Sequence, residues 1–371
     1  MKYALGLVAL VATLSFAGAT FSGGCSETFT IKGYAKAWYY MFGAEGSNPE
    51  SSFRGYNWTT LMGRLNDHTY AYLGTNYKTW DGNSSINVCD LYLSMDIIPE
   101  LNVTAGQFKI PLGWAYNRSG GSLYFLDRAG VASAPEFSAY AGRDVGVNLH
   151  GQFDMVGLDV GYFNGTGTYT DADTTVNKQI AAKLTVEPME WLTFAAGVAM
   201  IGQPDHIVTT PASIEIVGDS VIVNPATTVT VDEWSGMGIN AYVLADYPLS
   251  DNADLIFEGE YWQMGYTGPD MDNVEEEGAM DYYATLGVNI GLENAIFSSI
   301  MPAVRYETYS PQELVASGAE RAEDNLTWID FCVNCHINPY NTIQIGGRNV
   351  SYEDENAEGF TDIYLGWRLN Y

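Results

Sequence analysis

Few side chains in this sequence are spaced for covalent chemistry. Cys332-Val333-Asn334-Cys335-His336 is the clearest group: two thiols three residues apart and a histidine directly after them. That spacing can attach a c-type haem, with the thiols taking the vinyl groups and the histidine the iron. It also fits a disulfide or two free thiols in a turn of an exported chain, or half a zinc site that lacks its second ligand pair. A haem needs an apolar pocket and a second axial ligand, and neither a Met nor another His stands nearby. No cofactor and no metal are therefore expected, and haem at Cys332, Cys335 and His336, making the chain an electron-transfer conduit, is the alternative. The other histidines, His68, His150 and His206, sit in no Ser/His/Asp pattern. Hydrolytic catalysis has no evident base, so no enzyme is expected.

Charge is the other chemistry on offer. The chain has 16 Lys+Arg against 45 Asp+Glu, a formal net charge of −29. Phosphate backbones need a basic face, so nucleic acid is excluded as a partner. Yet charged residues make up only 16% of the sequence, while Gly (39) and Tyr (26) are abundant. A long chain in water carries more charge than this; glycine-rich turns and aromatic girdles suit a large β structure in a membrane.

The elements that would place these charges are read from alternation. At the end of the chain Ile363, Leu365, Trp367, Leu369 and Tyr371 alternate with Asp362, Tyr364, Gly366, Arg368 and Asn370. Period two puts the two sets on opposite faces of a strand. The pattern recurs in Phe29–Tyr39, Cys89–Ile97, Val145–Phe153, Leu255–Tyr261 and Tyr282–Ile290. Strands are expected near 28–42, 57–65, 68–78, 86–98, 101–110, 143–153, 156–164, 178–187, 190–201, 233–248, 253–265, 280–291, 297–309, 324–331, 341–352 and 360–371. That is about 16 strands, in a range of 14–18. Each run has the roughly ten-residue length of a tilted membrane-crossing strand. Tight turns near 65–67, 98–102, 153–157, 187–191 and 250–254 alternate with long connections at 43–56, 111–142, 165–177, 202–232 and 266–279.

Short turns at one rim and long loops at the other describe an all-β transmembrane antiparallel barrel with short periplasmic turns and long extracellular loops. Residues 1–19, with one Lys and an apolar stretch ending in Ala17-Gly18-Ala19, read as a signal peptide; residues 20–371 form the barrel. Ser22-Gly23-Gly24 before Cys25 does not fit a lipidation signal. The competing reading, a soluble sandwich or solenoid, predicts charge on the outer faces or a fixed repeat, and neither is present.

Two stretches carry a family likeness: "LNVTAGQFKIPLGW" at 101–114, and "AGRDVGVNLHG" with "LDVGYFNGTG" some thirty residues on, with "YFLDRAG" between them. Over about 86–168 the chain resembles the phosphate-selective porin O and P family. The resemblance implies a passive, often trimeric channel of the bacterial outer membrane for ions and small polar solutes, with 111–142 folded into the lumen as a pore-constricting loop. Arg118, Asp127, Arg128, Glu136 and Arg143 would form that constriction. The terminal Tyr371 looks like the signal read by the barrel-assembly machinery, and outer-membrane lipid is the expected surroundings.

The dense ladder of bases that phosphate requires is absent. Inward positions read as Lys32, Lys36, Lys183, Arg305, Arg348 and Arg368 against Asp90, Asp96, Asp144, Asp159, Asp254, Glu258, Glu260, Asp281, Glu307 and Asp362, with His150 also inward. Acids exceed bases, so a weakly cation-preferring porin is expected. The acidic run "PDMDNVEEEG" reads as a solvated loop, with divalent-cation binding as its alternative.

Overall fold

The structure, a computed structural model, describes residues 20–23, 26–44, 51–79, 86–133, 140–165, 178–203, 206–210, 213–217, 220–224, 227–231, 234–267, 278–293, 296–311, 325–353 and 357–371. Residues 1–19, Cys25, Glu136 and most of the acidic run (268–277) lie outside the described residues.

After a short strand β1 (Thr20–Gly23), which pairs only with its successor, sixteen antiparallel strands close a barrel. They are β2 (Ser26–Met41), β3 (Ser51–Asn66), β4 (Thr69–Lys78), β5 (Asn87–Ile98), β6 (Leu101–Lys109), β7 (Arg143–Phe153), β8 (Val156–Phe163), β9 (Gln179–Met189) and β10 (Leu192–Gln203), continued by β15 (Trp234–Ser250), β16 (Ala253–Thr267), β17 (Ala279–Gly291), β18 (Ser299–Ser310), β19 (Leu326–Asn338), β20 (Asn341–Tyr352) and β21 (Phe360–Asn370). The last strand closes the barrel on the second, with Tyr34 opposite Asn370 and Met41 opposite Ile363. Closure leaves the sixteen barrel strands no unpaired edge, which hydrocarbon would not tolerate. Among the described residues no helix is long and apolar enough to cross a membrane.

Alternation explains the two faces. Along β5 and β21 the odd-numbered apolar residues face out, with Leu93 and Leu365 each 53% exposed, while Tyr364 and Arg368 face the interior and are buried. Tight turns are set by local chemistry. Asp154, between β7 and β8, adopts a positive φ of 54°, which a short polar side chain can tolerate in a two-residue hairpin. Asn338 accepts the backbone N–H groups of Tyr340 and Asn341, both at 2.9 Å, fixing the turn between β19 and β20.

Three local expectations change. The connection at 202–232 is not plain loop: β11 (His206–Thr210) pairs with β14 (Thr227–Val231), and β12 (Ser213–Val217) with β13 (Ser220–Asn224). The runs of Ile, Val and Thr there favour strands. Cys89, read as outward-facing, is an extra residue between the Gly74–Asp90 and Thr75–Val88 pairs; this bulge buries it at 2% exposure. β19 continues to Asn338, so the cysteine motif lies inside a strand and the turn comes after it.

Two substitutions test the assignment of faces. Leu93→Arg is expected to cost about 2–4 kcal/mol in denaturant unfolding from lipid vesicles, the penalty for a charge in the lipid-facing band. Ser94→Arg, one residue on and inward, is expected to leave the folded barrel in the membrane and change its conductance.

Candidate functional site

The connection after β6 turns into the barrel. Gly113 adopts a φ of +77°, and a Cβ there would lie 2.3 Å from the Trp262 ring, so only glycine fits this entry. It leads into a one-turn helix, Trp114–Asn117, and two short 3-10 turns, Gly120–Ser122 and Gly130–Ser133. Asn117 bridges the loop to itself, its side-chain amide donating to the carbonyls of Ile110 (3.0 Å), Leu112 (2.8 Å) and Gly113 (3.0 Å).

Glu260 on β16 holds the start of the loop. Its carboxylate accepts the backbone N–H groups of Trp114 and Ala115, both at 2.7 Å. It also accepts Trp262 Nε1 (2.8 Å), Asn240 Nδ2 (2.9 Å) and the Tyr283 hydroxyl (2.9 Å). A buried carboxylate is tolerated only with such compensation. Two residues along, Glu258 pairs with Arg118 and accepts Trp114 Nε1 at 3.2 Å. Arg118 also lies 3.8 Å from the centre of the Tyr124 ring.

The far half of the loop hangs on the barrel's bases. Lys36 donates to the Leu126 carbonyl (2.8 Å), Arg368 to Leu123 (2.5 Å), and Arg305 (3.0 Å) and Arg348 (3.3 Å) to Arg128. Arg305 and Arg348 also pair with Asp330, with Arg348 Nε 2.6 Å from its Oδ1. Asn334 donates to the Tyr124 carbonyl at 2.8 Å. Tyr140, at the returning end, donates its hydroxyl to the Gly265 carbonyl at 2.6 Å.

The loop therefore divides the lumen. On one side the carboxylates Glu258, Glu260, Asp281 and Glu307 are buried, none more than 7% exposed. On the other lies a cavity of about 1200 Å³, between the loop and a wall drawn mainly from β2–β6 with further residues of β7, β9 and β18–β20. Its lining runs from Tyr70 to Asn76 along β4, about 20 Å of strand at 3.3 Å per residue, so it follows the barrel axis. Its charged lining comprises Lys36, Lys109, Arg128, Arg143, Lys183 and Arg348 against Asp90 and Asp127.

Several of these basic groups have no carboxylate partner among the described residues. Arg143 pairs with Asp90 at 2.6 Å and Lys183 with Asp159 at 3.3 Å. Lys109 donates to the Tyr116 carbonyl at 2.6 Å and Arg128 to that of Ala115 at 2.5 Å. Like Lys36, they form no ion pair among the described residues. A carbonyl satisfies a donor without cancelling its charge. Burial moves the Arg128 guanidinium below its ordinary pKa, but a guanidinium keeps its proton.

The structure thus brings Asp127, Arg128 and Arg143 to the cavity with Lys36 and Asp90, and takes Arg118 away from it, into a buried pair with Glu258. Glu258, Glu260, Arg305, Arg368 and Asp144 face inward but lie under the loop or in its anchors, not on open lumen. Asp144, 1% exposed, accepts the N–H of Val145 at 2.7 Å. Lys32 and Asp96 lie toward the tight-turn rim, as does His150, whose Nδ1 is 2.9 Å from Asp159 Oδ1. Lys109 and the aromatic wall were not identified from sequence. Lys109 ends its strand, where alternation no longer fixes direction, and a count of inward charges does not register tyrosines.

Cys332 and Cys335 are not brought together. Cys332 is buried facing inward and Cys335 lies on the opposite face of β19. Extended backbone separates them by about 10 Å, too far for a disulfide, and both thiols are free. His336 Nδ1 instead lies 3.0 Å from the Thr342 hydroxyl.

Removing the Glu260 charge tests the anchoring. Glu260→Gln keeps the shape but loses charge-assisted bonds of roughly 1.5–3 kcal/mol each. The expected result is a less heat-stable barrel with a larger, noisier single-channel conductance; an unchanged current trace would contradict the anchoring role.

No family model matches this sequence and no curated protein matches it. Solved structures do. The chain is similar to the anion-selective porin from Comamonas acidovorans (TM-score 0.58, 13% identity, covering 92% of this chain and 99% of that one). It is also similar to OprB from Pseudomonas putida (TM-score 0.60, 8% identity, covering 92% and 94%). A third match is the trimer form of OmpT from Vibrio cholerae (TM-score 0.53, 10% identity, covering 92% and 99%). At these identities the likeness is one of fold, and the fold is that of the outer-membrane porins.

Proposed function

We propose that this barrel is an outer-membrane diffusion channel that prefers anions. The observation that carries this reading is the division of charge by the loop. Four of the inward acids, Glu258, Glu260, Asp281 and Glu307, are buried on one side of it, whereas the cavity on the other is lined by six bases and two acids. Ions in a narrow wet passage respond to the charges that face the water. This reverses the weak cation preference expected from counting every inward position alike.

The motif likeness to phosphate-selective porins favours the same sign of charge. A phosphate-specific channel is a narrower reading, and the few bases spread among aromatic side chains give it little support. The matching anion-selective porin and the trimer form of OmpT are consistent with anion passage and with a homotrimer here. Among the described residues His68, His150 and His336 form no catalytic arrangement on which an enzymatic reading could rest. A haem conduit would require the strand around Cys332 and Cys335 to unravel.

Reversal potentials across planar bilayers under a potassium chloride gradient test the proposal. The expected sign is that of chloride permeating faster than potassium. The double variant Lys109→Gln/Arg128→Gln is expected to move the potential toward zero or past it. A wild-type potential of the potassium-selective sign would overturn the reading.

A further inference from the structure

The cavity pairs its cations with aromatic rings. Tyr116 on the loop helix has three of them around its ring, with Lys109 5.0 Å, Arg143 5.6 Å and Arg128 5.8 Å from the centroid. Arg143 also lies 5.1 Å from the Trp58 ring. Like charges repel, so gathering three around one tyrosine with Asp90 as the paired carboxylate leaves a strong demand for an anion. Lys109 and Arg128 have no carboxylate partner among the described residues.

The rest of the wall is a bank of rings. Tyr72 and Tyr92 stack with centroids 4.6 Å apart, and Tyr34 and Tyr56 stack at 5.7 Å. Trp58 is seated against Gly74 of the neighbouring strand, where a Cβ would lie 2.8 Å from its ring. A small hydrated anion gains nothing from such surfaces and would be served by short polar side chains. An anion that carries its own flat ring gains from both: its charge from the cations and its face from the wall.

We propose that the cavity selects aryl carboxylates, with the carboxylate held by Lys109, Arg128 and Arg143 and the ring laid against the aromatic wall at Trp58. This rests on the anion-channel reading and narrows it. Binding is transient, because the cavity is far larger than one such molecule and open along the barrel.

Single-channel recording of the full-length folded protein in planar bilayers, with benzoate, gluconate and inorganic phosphate added at equal ionic strength, tests it. Benzoate is expected to interrupt the current for times about 2- to 12-fold longer than gluconate or phosphate, the span of one stacked aromatic pair. Trp58→Leu is expected to remove that advantage and Trp58→Phe to keep it. Equal or longer interruptions by gluconate or phosphate in the wild type would overturn the proposal, even if the leucine variant failed to fold. So would a leucine variant that kept the benzoate advantage. Chloride preference without benzoate preference would sink this inference alone; potassium preference would sink the channel reading beneath it.

Discussion

A carboxylate buried in a wall must find donors, and Glu260 finds five: two backbone N–H groups of the loop, an indole, an amide and a phenol. The loop supplies the first two. Without them the charge would face a closed barrel wall with too few partners, so wall and loop depend on each other. The paired Glu258 and Arg118 extend the attachment, and Lys36, Arg305, Arg348 and Arg368 complete it from the opposite strands. The lumen is divided in consequence. Glu258 and Glu260 are used to hold the loop, and the water is left mostly beside bases and tyrosines.

This arrangement reconciles a strongly acidic protein with a basic passage. Net charge sums every residue, but an ion responds to charge within about a Debye length through water. Of the acids sealed under the loop, Glu258 and Glu260 are compensated by the donors that hold them. Lys36, Lys109 and Arg128 meet carbonyl dipoles and aromatic rings but no paired carboxylate among the described residues. The sign of selectivity therefore depends on where the loop lies more than on composition.

Much of the barrel was legible because alternation is a direct print of a two-sided environment. The strands fall within a few residues of their expected positions, except β3, which starts earlier at Ser51, and β19, which runs seven residues further to Asn338. That extension absorbed the cysteine motif, whose spacing invites a compact turn but whose alternation with Phe331, Val333 and Ile337 continues a strand. The bulge at Cys89 and the paired strands at 206–231 also escaped, the first because an extra residue leaves no mark in periodicity. The charge of the passage was not legible. Alternation tells which side chains turn inward, and tertiary docking of the loop decides which of them touch water, as Arg118 and Glu258 show.

Local potential beside the loop can be read directly through a cysteine at Ser119, which is exposed and lines the cavity. The measurement is the rate at which Ser119→Cys channels in a bilayer react with a negatively charged and a positively charged methanethiosulfonate. Each rate is divided by that reagent's rate with a free thiol, and the wild type serves as control. If the loop lies in the lumen beside the bases, the anionic reagent is favoured several-fold and each event lowers the current in a step. Faster relative reaction of the cationic reagent, or reaction with no change in current, would contradict the account.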